Sequence, residues 1–149
     1  MRLKHIIPMA FTAYLLVNCS SNNVGVFDKI DAGTMDKTIN KYMGTPYVWG
    51  GNTPGKGVDC SGLTYSLYKS QKVDLPRVSR LQYAVGDAVS QKNLKYGDLL
   101  FFDTLGKGVS HVGLYVGDGN MVHASSSKGV SEANIRTEYW AKQIGRAHV

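Results

Sequence analysis

The sequence predicts a single small domain, richer in strand and turn than in helix. Three observations say so. The 149 residues are 43% apolar and 19% charged, the balance of one ordinary globular core without bulk disorder. The chain holds 17 glycines and nine tyrosines, which suit strands and turns better than a helical bundle. Apolar spacing is helical in the first half and alternates later, so helices should come early and strands late.

The N-terminus reads as a leader. Arg2, Lys4 and His5 are basic, and Ile6 to Val17 form an apolar stretch too short to span a bilayer comfortably. It ends at Leu16-Val17-Asn18-Cys19-Ser20, which resembles a bacterial lipoprotein cleavage box with Cys19 as the lipidated residue. Asn18 departs from the small residue usual before that cysteine, so simple cleavage or an uncleaved anchor are the alternatives. Ser20 is not acidic, which by the same resemblance points to the outer membrane, on its periplasmic face; otherwise the protein is periplasmic or secreted. Residues 1–18 are thus read as a signal peptide, 19–33 as modified N-terminus and tether, and 34–149 as the domain. The polar stretch Ser20 to Ala32 reaches about 45 Å when extended.

Two cysteines are present. With Cys19 lipidated, Cys60 is left alone in an oxidising compartment, where a lone thiol is a liability unless it is used. The formal charge of +6 falls when Arg2 and Lys4 leave with the leader but stays positive. That suits an anionic wall polymer or membrane surface; no basic helix or arginine-rich patch argues for nucleic acid.

Thr34 can cap a first helix, with Met35, Ile39, Tyr42 and Met43 at helical spacing and Gly44 as terminator. Pro46 and Gly50-Gly51 forbid its continuation. Tyr47 and Trp49 share one side of an extended piece; Trp49 is assigned to the core, and Tyr47 either to the core or beside the reactive group. Asp59 caps a second helix, placing Cys60 at its first position, where the helix dipole favours a thiolate. A buried core cysteine is the plainer alternative. Ser79 and Gln82 match a capping box, so a short helix starts at Ser79 and ends near Gly86. Arg77 and Arg80 read as a solvated face, with substrate carboxylates as the sharper option.

Leu99 to Phe102 is a strand buried on both faces. Ser110 to Val116 alternates, with His111, Gly113 and Tyr115 on one side. Gly117-Asp118-Gly119-Asn120 is a hairpin turn, and Met121 to Ala124 returns with His123. A regular two-residue turn would set His123 opposite Leu114, on the wrong face. Cooperation between the histidines therefore requires a bulge near Gly117 or Gly119. Beyond Ser125 lie a loop, a weak strand signal around Ile135, the run Glu138-Tyr139-Trp140, and an edge strand from Ile144; His148 is given no role.

Thr45-Pro46-Tyr47-Val48-Trp49-Gly50-Gly51, Asp59-Cys60-Ser61-Gly62, Gly97 to Phe102, Ser110 to Tyr115 and Val122-His123-Ala124 together resemble the NlpC family of papain-like bacterial cell-wall cysteine peptidases, in family order. Within that family the chain is most similar to the small Spr-type murein endopeptidase lipoproteins. The resemblance implies an α+β, papain-like single domain, its N-terminal helices including a cysteine helix packed on a central antiparallel sheet. It implies Cys60 as nucleophile, His111 as general base and His123 as its orienting residue. It implies Tyr47 near the oxyanion, and Asp59 and Ser61 holding the free amine end of a stem peptide. The implied substrate is the peptidoglycan stem peptide or crosslink, and the protein is read as a monomer that needs no cofactor and no metal. A Cys/His/His zinc site would be the metal alternative, but close-set ligand pairs are missing. Thiol-dependent acyl transfer or amidation, and a wall-binding lipoprotein that does not cut, are the other readings.

Overall fold

The computed structural model describes residues 30–148. The leader, Cys19 and most of the tether lie outside the described residues. The first helix, α1, spans Ala32–Tyr42 and is capped by Asp31, whose Oδ1 accepts the Thr34 N–H at 2.6 Å. The cap therefore sits three residues before Thr34, and Thr34 supplies the donor instead. Asp31 N–H also donates to Gln71 Oε1 at 2.8 Å, and Ile30 packs on the core. The last residues assigned to the tether thus belong to the domain.

Helix α2 spans Cys60–Ser70 and α3 spans Ser79–Val85. Between α1 and α2, β1 (Asn52–Thr53) and β2 (Gly57–Val58) form a small ribbon. The main sheet has six strands: β3 (Ala88–Val89), β4 (Leu99–Phe102), β5 (His111–Gly117), β6 (Asn120–Ser125), β7 (Gly129–Asn134) and β8 (Ile144–His148). Their order is β3-β8-β4-β5-β6-β7, with every neighbouring pair antiparallel. A fourth helix, α4 (Glu138–Gln143), joins β7 to β8.

Strand alternation divides the interior in two. Leu99, Phe101, Val112, Leu114, Val122, Ala124 and Val130 face α1 and α2 and pack with Met35, Ile39, Leu63 and Leu67. Each fully buried leucine among them contributes about 1.5–3 kcal/mol. Leu100, Phe102 and Met121 face the other way and are covered by Tyr115, Ile135, Trp140 and Ile144. That two-sided burial is what the unbroken run Leu99 to Phe102 anticipates.

Three expectations fail here. The segment from Ile144 is an interior strand between β3 and β4; the two-residue β3 takes the edge. Pairing there is a long-range fact, invisible to local pattern. The capping box at Ser79 does not form: Val78 is the N-cap without a side-chain bond. Gln82 is buried instead, donating to Ser61 O at 3.1 Å and Pro76 O at 2.8 Å while accepting from Thr64 Oγ1 at 2.8 Å. The late strand runs from Gly129 to Asn134, just short of Ile135.

Candidate active site

Asp59 builds the cysteine corner. It caps α2, with Oδ1 accepting the Gly62 N–H at 2.7 Å. Oδ2 accepts the Gly50 N–H at 2.7 Å, tying in the glycine pair before the ribbon. Arg77, coming from the segment after α2, donates Nη1–H to Asp59 Oδ1 at 2.7 Å and to Ser61 Oγ at 3.1 Å, and Nη2–H to Gly51 O at 2.8 Å. Gly62 is required where three elements converge: a Cβ there would stand 2.3 Å from Gly51 O and 2.8 Å from Asp59 Oδ1.

This corner corrects one reading. Arg77 is no solvated surface residue but the brace of the corner. Asp59 and Ser61, expected to hold a substrate amine, are bonded to Gly50, Gly62, Arg77 and each other. Asp59 is only 6% exposed.

Cys60 is the first residue of α2, as its spacing from Asp59 requires, and is an unpaired cysteine. It is 7% exposed, and burial pushes its thiol up from the ordinary range. Backbone hydrogen bonds from Val112, Ser61 and Cys60 itself pull the other way, and the Asp59 charge adds to the rise. Burial thus opposes the thiolate that the helix terminus favours. The sulfur nevertheless lies by the Val112 amide at the start of β5, with the amides of Ser61 and Cys60 beside it.

Across β5 and β6 the predicted irregularity is present. Gly117 pairs with Asn120, yet Tyr115 pairs with Met121, so Val116 is the extra residue of a bulge. Gly117, Asp118 and Gly119 all have positive φ, the conformation a tight primed turn demands. The shift brings Gly113 opposite His123, and His111 joins His123 on one face. His111 Nε2 and His123 Nδ1 lie 2.9 Å apart, leaving Nδ1 of His111 as the nitrogen not engaged by His123. Burial holds both imidazoles well below their usual range; the neighbouring ring adds to this for His111, and the Lys128 charge for His123.

Tyr47 follows from the exit of α1. Val130 N–H donates to Thr45 O and Gly44 N–H to Val130 O, both at 2.9 Å, and Val58 N–H donates to Pro46 O at 3.0 Å. So held, Tyr47 bridges Val58, the residue before Asp59. Its phenol is kept protonated by burial first, then by the charges of Cys60 and Asp59. Trp49 does not enter the core; it is 86% exposed. Its position on the turn before Gly50-Gly51 leaves nothing to bury it.

Tyr47, Trp49, His111, His123, Ser131 and Trp140 line one cleft of about 470 Å³. Two of these escaped the sequence reading. Trp140, on α4, stacks on His111 with centroids 5.5 Å apart. Ser131, in register with His123 on β7, has a buried hydroxyl without a partner. Among the described residues, no cluster of three or more histidine, cysteine, aspartate or glutamate side chains could hold a metal ion, and no helix is long and apolar enough to cross a membrane.

A buried thiol among amide donors, an imidazole pair of one defined bond and a phenol beside the thiol can carry acyl chemistry at a carbonyl. Comparison with known proteins agrees with that chemistry. The chain is 42% identical over 120 residues to a gamma-DL-glutamyl hydrolase of Bacillus subtilis, covering 76% of this chain and 29% of that protein. It is 39% identical over 112 residues to the murein DD-endopeptidase MepH of Escherichia coli, covering 70% and 41%. It thus spans less than half the length of these curated relatives. Among solved structures, an NlpC/P60 family protein from Bacillus cereus matches with a TM-score of 0.74 at 36% identity, over 81% of this chain and 40% of that one. RipD of Mycobacterium tuberculosis, described as a non-catalytic NlpC/p60 domain protein adapted to peptidoglycan binding, matches with a TM-score of 0.61 at 27% identity, over 78% and 95%. The NlpC/P60 family model matches residues 44–149, which contain the cysteine corner, both histidines and all six strands of the main sheet, and the chain belongs to that family.

Proposed function

We propose that this protein is a thiol peptidase that hydrolyses an amide bond in peptidoglycan stem peptides or crosslinks. The observation that carries the reading is the 2.9 Å bond between His111 Nε2 and His123 Nδ1, with the Cys60 sulfur against the His111–Val112 peptide. A member of the fold that only binds has no need of a buried imidazole relay.

The resting pair is a neutral thiol and a neutral imidazole, because burial opposes charge on both. The Cys60 proton passes to His111 Nδ1 as the sulfur attacks the carbonyl carbon. His111 keeps its Nε2 proton, donated to His123 Nδ1, which fixes the tautomer. The Cys60 backbone N–H, an orphan donor of the first helical turn, and the Tyr47 hydroxyl receive the oxyanion. The imidazolium returns its proton to the leaving amine as the C–N bond breaks. Water then gives a proton to His111, attacks the thioester, and releases the carboxylic product and the thiol.

The names of the relatives cover both a γ-glutamyl linkage and a DD-crosslink, so the fragments themselves identify the bond. Purified muropeptides are digested with wild type and Cys60→Ser, and the products weighed. Hydrolysed ends from wild type and none from a folded Cys60→Ser support the proposal. Products carrying an added amine or acyl group, or cleavage that survives in Cys60→Ser, defeat it. Membrane attachment through lipid at Cys19, on the periplasmic face of the outer membrane, completes the proposal. It rests on Arg2, Lys4, the apolar run and Leu16 to Ser20. The same preparations test it by fractionation: Cys19→Ser should leave the membrane fraction, and a variant that stays there refutes the lipid.

A further inference from the structure

Trp140 is bound up with the imidazole pair more closely than any other aromatic side chain. Its ring lies nearly parallel to His111, 22° between planes and 5.5 Å between centroids. It meets His123 edge-on, at 89° and 5.0 Å. Its other contacts are Phe102 at 4.8 Å and Tyr139 at 4.8 Å. Phe102 is the register partner of His111, so one indole covers a cross-strand pair and the ring beyond it. The helix that carries Trp140 is pinned at its end, where Asp103 N–H donates to Gln143 O at 3.0 Å.

We infer that Trp140 is a positioning residue for the proton relay, holding the His111 ring perpendicular to His123 and shutting water off the bond between them. The inference rests on the thiol-peptidase reading of this site. The two imidazoles stand at 89° to each other, a geometry their single hydrogen bond does not fix. A flat aromatic face against His111 removes the remaining rotation about its χ2, which is otherwise soft. The same face lies where His111 becomes an imidazolium, and an aromatic face attracts a cation. Around His111 the titratable groups are His123 from β6, Tyr47 from the exit of α1 and Tyr139 from α4, and Cys60 of α2 lies by the amide of the next residue, Val112; Lys128 and Glu132 line the cleft from the β6–β7 turn and β7. On α4, Glu138 and Lys142 pair with each other at 2.5 Å. Asp103, after β4, accepts from the amides of Leu105, Lys107 and Gly108.

The test uses the full chain and muropeptide substrate, with Trp140→Met and Trp140→Phe. Methionine keeps apolar bulk without a flat face. Trp140→Met should lower kcat about tenfold to a hundredfold, within what proton transfer contributes, with KM within about threefold of wild type. The acid limb of kcat/KM should move up toward the ordinary imidazole range as water reaches His111. Trp140→Phe should restore most of kcat and the wild-type limb. An unmoved acid limb in folded Trp140→Met, a loss confined to KM, or a Phe variant as damaged as Met overturns the inference. A second readout needs no variant: in long-range 1H–15N spectra of the wild type, the ring proton between His111 and His123 should exchange slowly with water. Fast exchange of that proton overturns the inference even if Trp140→Met does not fold. A wild type that cuts nothing would instead sink the peptidase reading, leaving the ring measurement to stand alone.

Discussion

The cysteine corner and the imidazole pair are held in opposite ways. At the corner, Asp59 and Arg77 make six hydrogen bonds to Gly50, Gly51, Ser61, Gly62 and each other, and almost no polar atom is left over. On the other side, His111 and His123 share one bond, and their surroundings are rings: Phe102, Trp140 and each other. The thiol is fixed by charge and directional bonds. The imidazole pair is fixed by stacking and burial. On the proposed thiol-peptidase mechanism the difference follows from what each must do. The thiol needs only a place, while the imidazole must gain and lose a proton without gaining a permanent counter-charge that would trap it.

The largest expected effect tests the stacked half through pH. Folded His111 and His123 titrate near 3 and 4, against 6.5 for an unperturbed imidazole. Between those limits the unfolded chain binds more protons than the folded one, so stability is full above pH 6.5 and declines as pH falls. At pH 5 the pair should cost about 4 kcal/mol relative to pH 8. Urea melts across that range read it, and His123→Gln should roughly halve the slope. A flat profile would mean the imidazoles are wetter than their stacking implies.

Next comes the polar half. Arg77→Met takes the cation from the Asp59 carboxylate and a donor from Ser61 Oγ, and leaves Gly51 O only the Asp59 N–H at 3.2 Å. The ion pair is partly exposed on the arginine side, at 33%, which trims the penalty of a broken buried pair to about 1–3 kcal/mol. Thermal melts should show the loss. Alkylation of Cys60 by iodoacetamide at pH 8 should slow as well, because the Asp59 charge that already opposes the thiolate loses its cation. A lower melting point with unchanged alkylation would separate the corner from the thiol and break the comparison.

The smallest effect belongs to Trp49, which touches neither half of the machinery. Trp49→Ala should alter stability by less than about 0.5 kcal/mol, as exposed substitutions do, and raise KM severalfold with kcat kept. A fall in kcat would place Trp49 in the catalytic apparatus instead of on its rim.

What the sequence disclosed is what neighbouring residues determine. Asp59 next to Cys60, three residues before Gly62, specifies a capped helix with the thiol at its mouth, and α2 is that helix. Glycines flanking Asp118 specify a tight turn, and the demand that His111 and His123 cooperate predicted a bulge near Gly117 or Gly119, which forms at Val116. What stayed hidden depends on partners far along the chain. Nothing near Gln82 distinguishes a capping amide from one buried against Thr64. Arg77 reads as surface until Asp59 is brought to it, and Trp140 reads as an unassigned aromatic until α4 folds over Phe102. Trp49 misled for the converse reason: a large apolar side chain is usually covered, but this one stands on a turn.

The extra residue in the β5–β6 hairpin makes parity decide whether the two imidazoles meet. An added residue between Asn120 and His123 would turn that imidazole toward α2 and uncouple it from His111, with composition and most packing intact. Loss of Val116 would merely iron out the ladder and leave the rings together. A single-codon insertion can therefore part the two imidazoles without removing either of them.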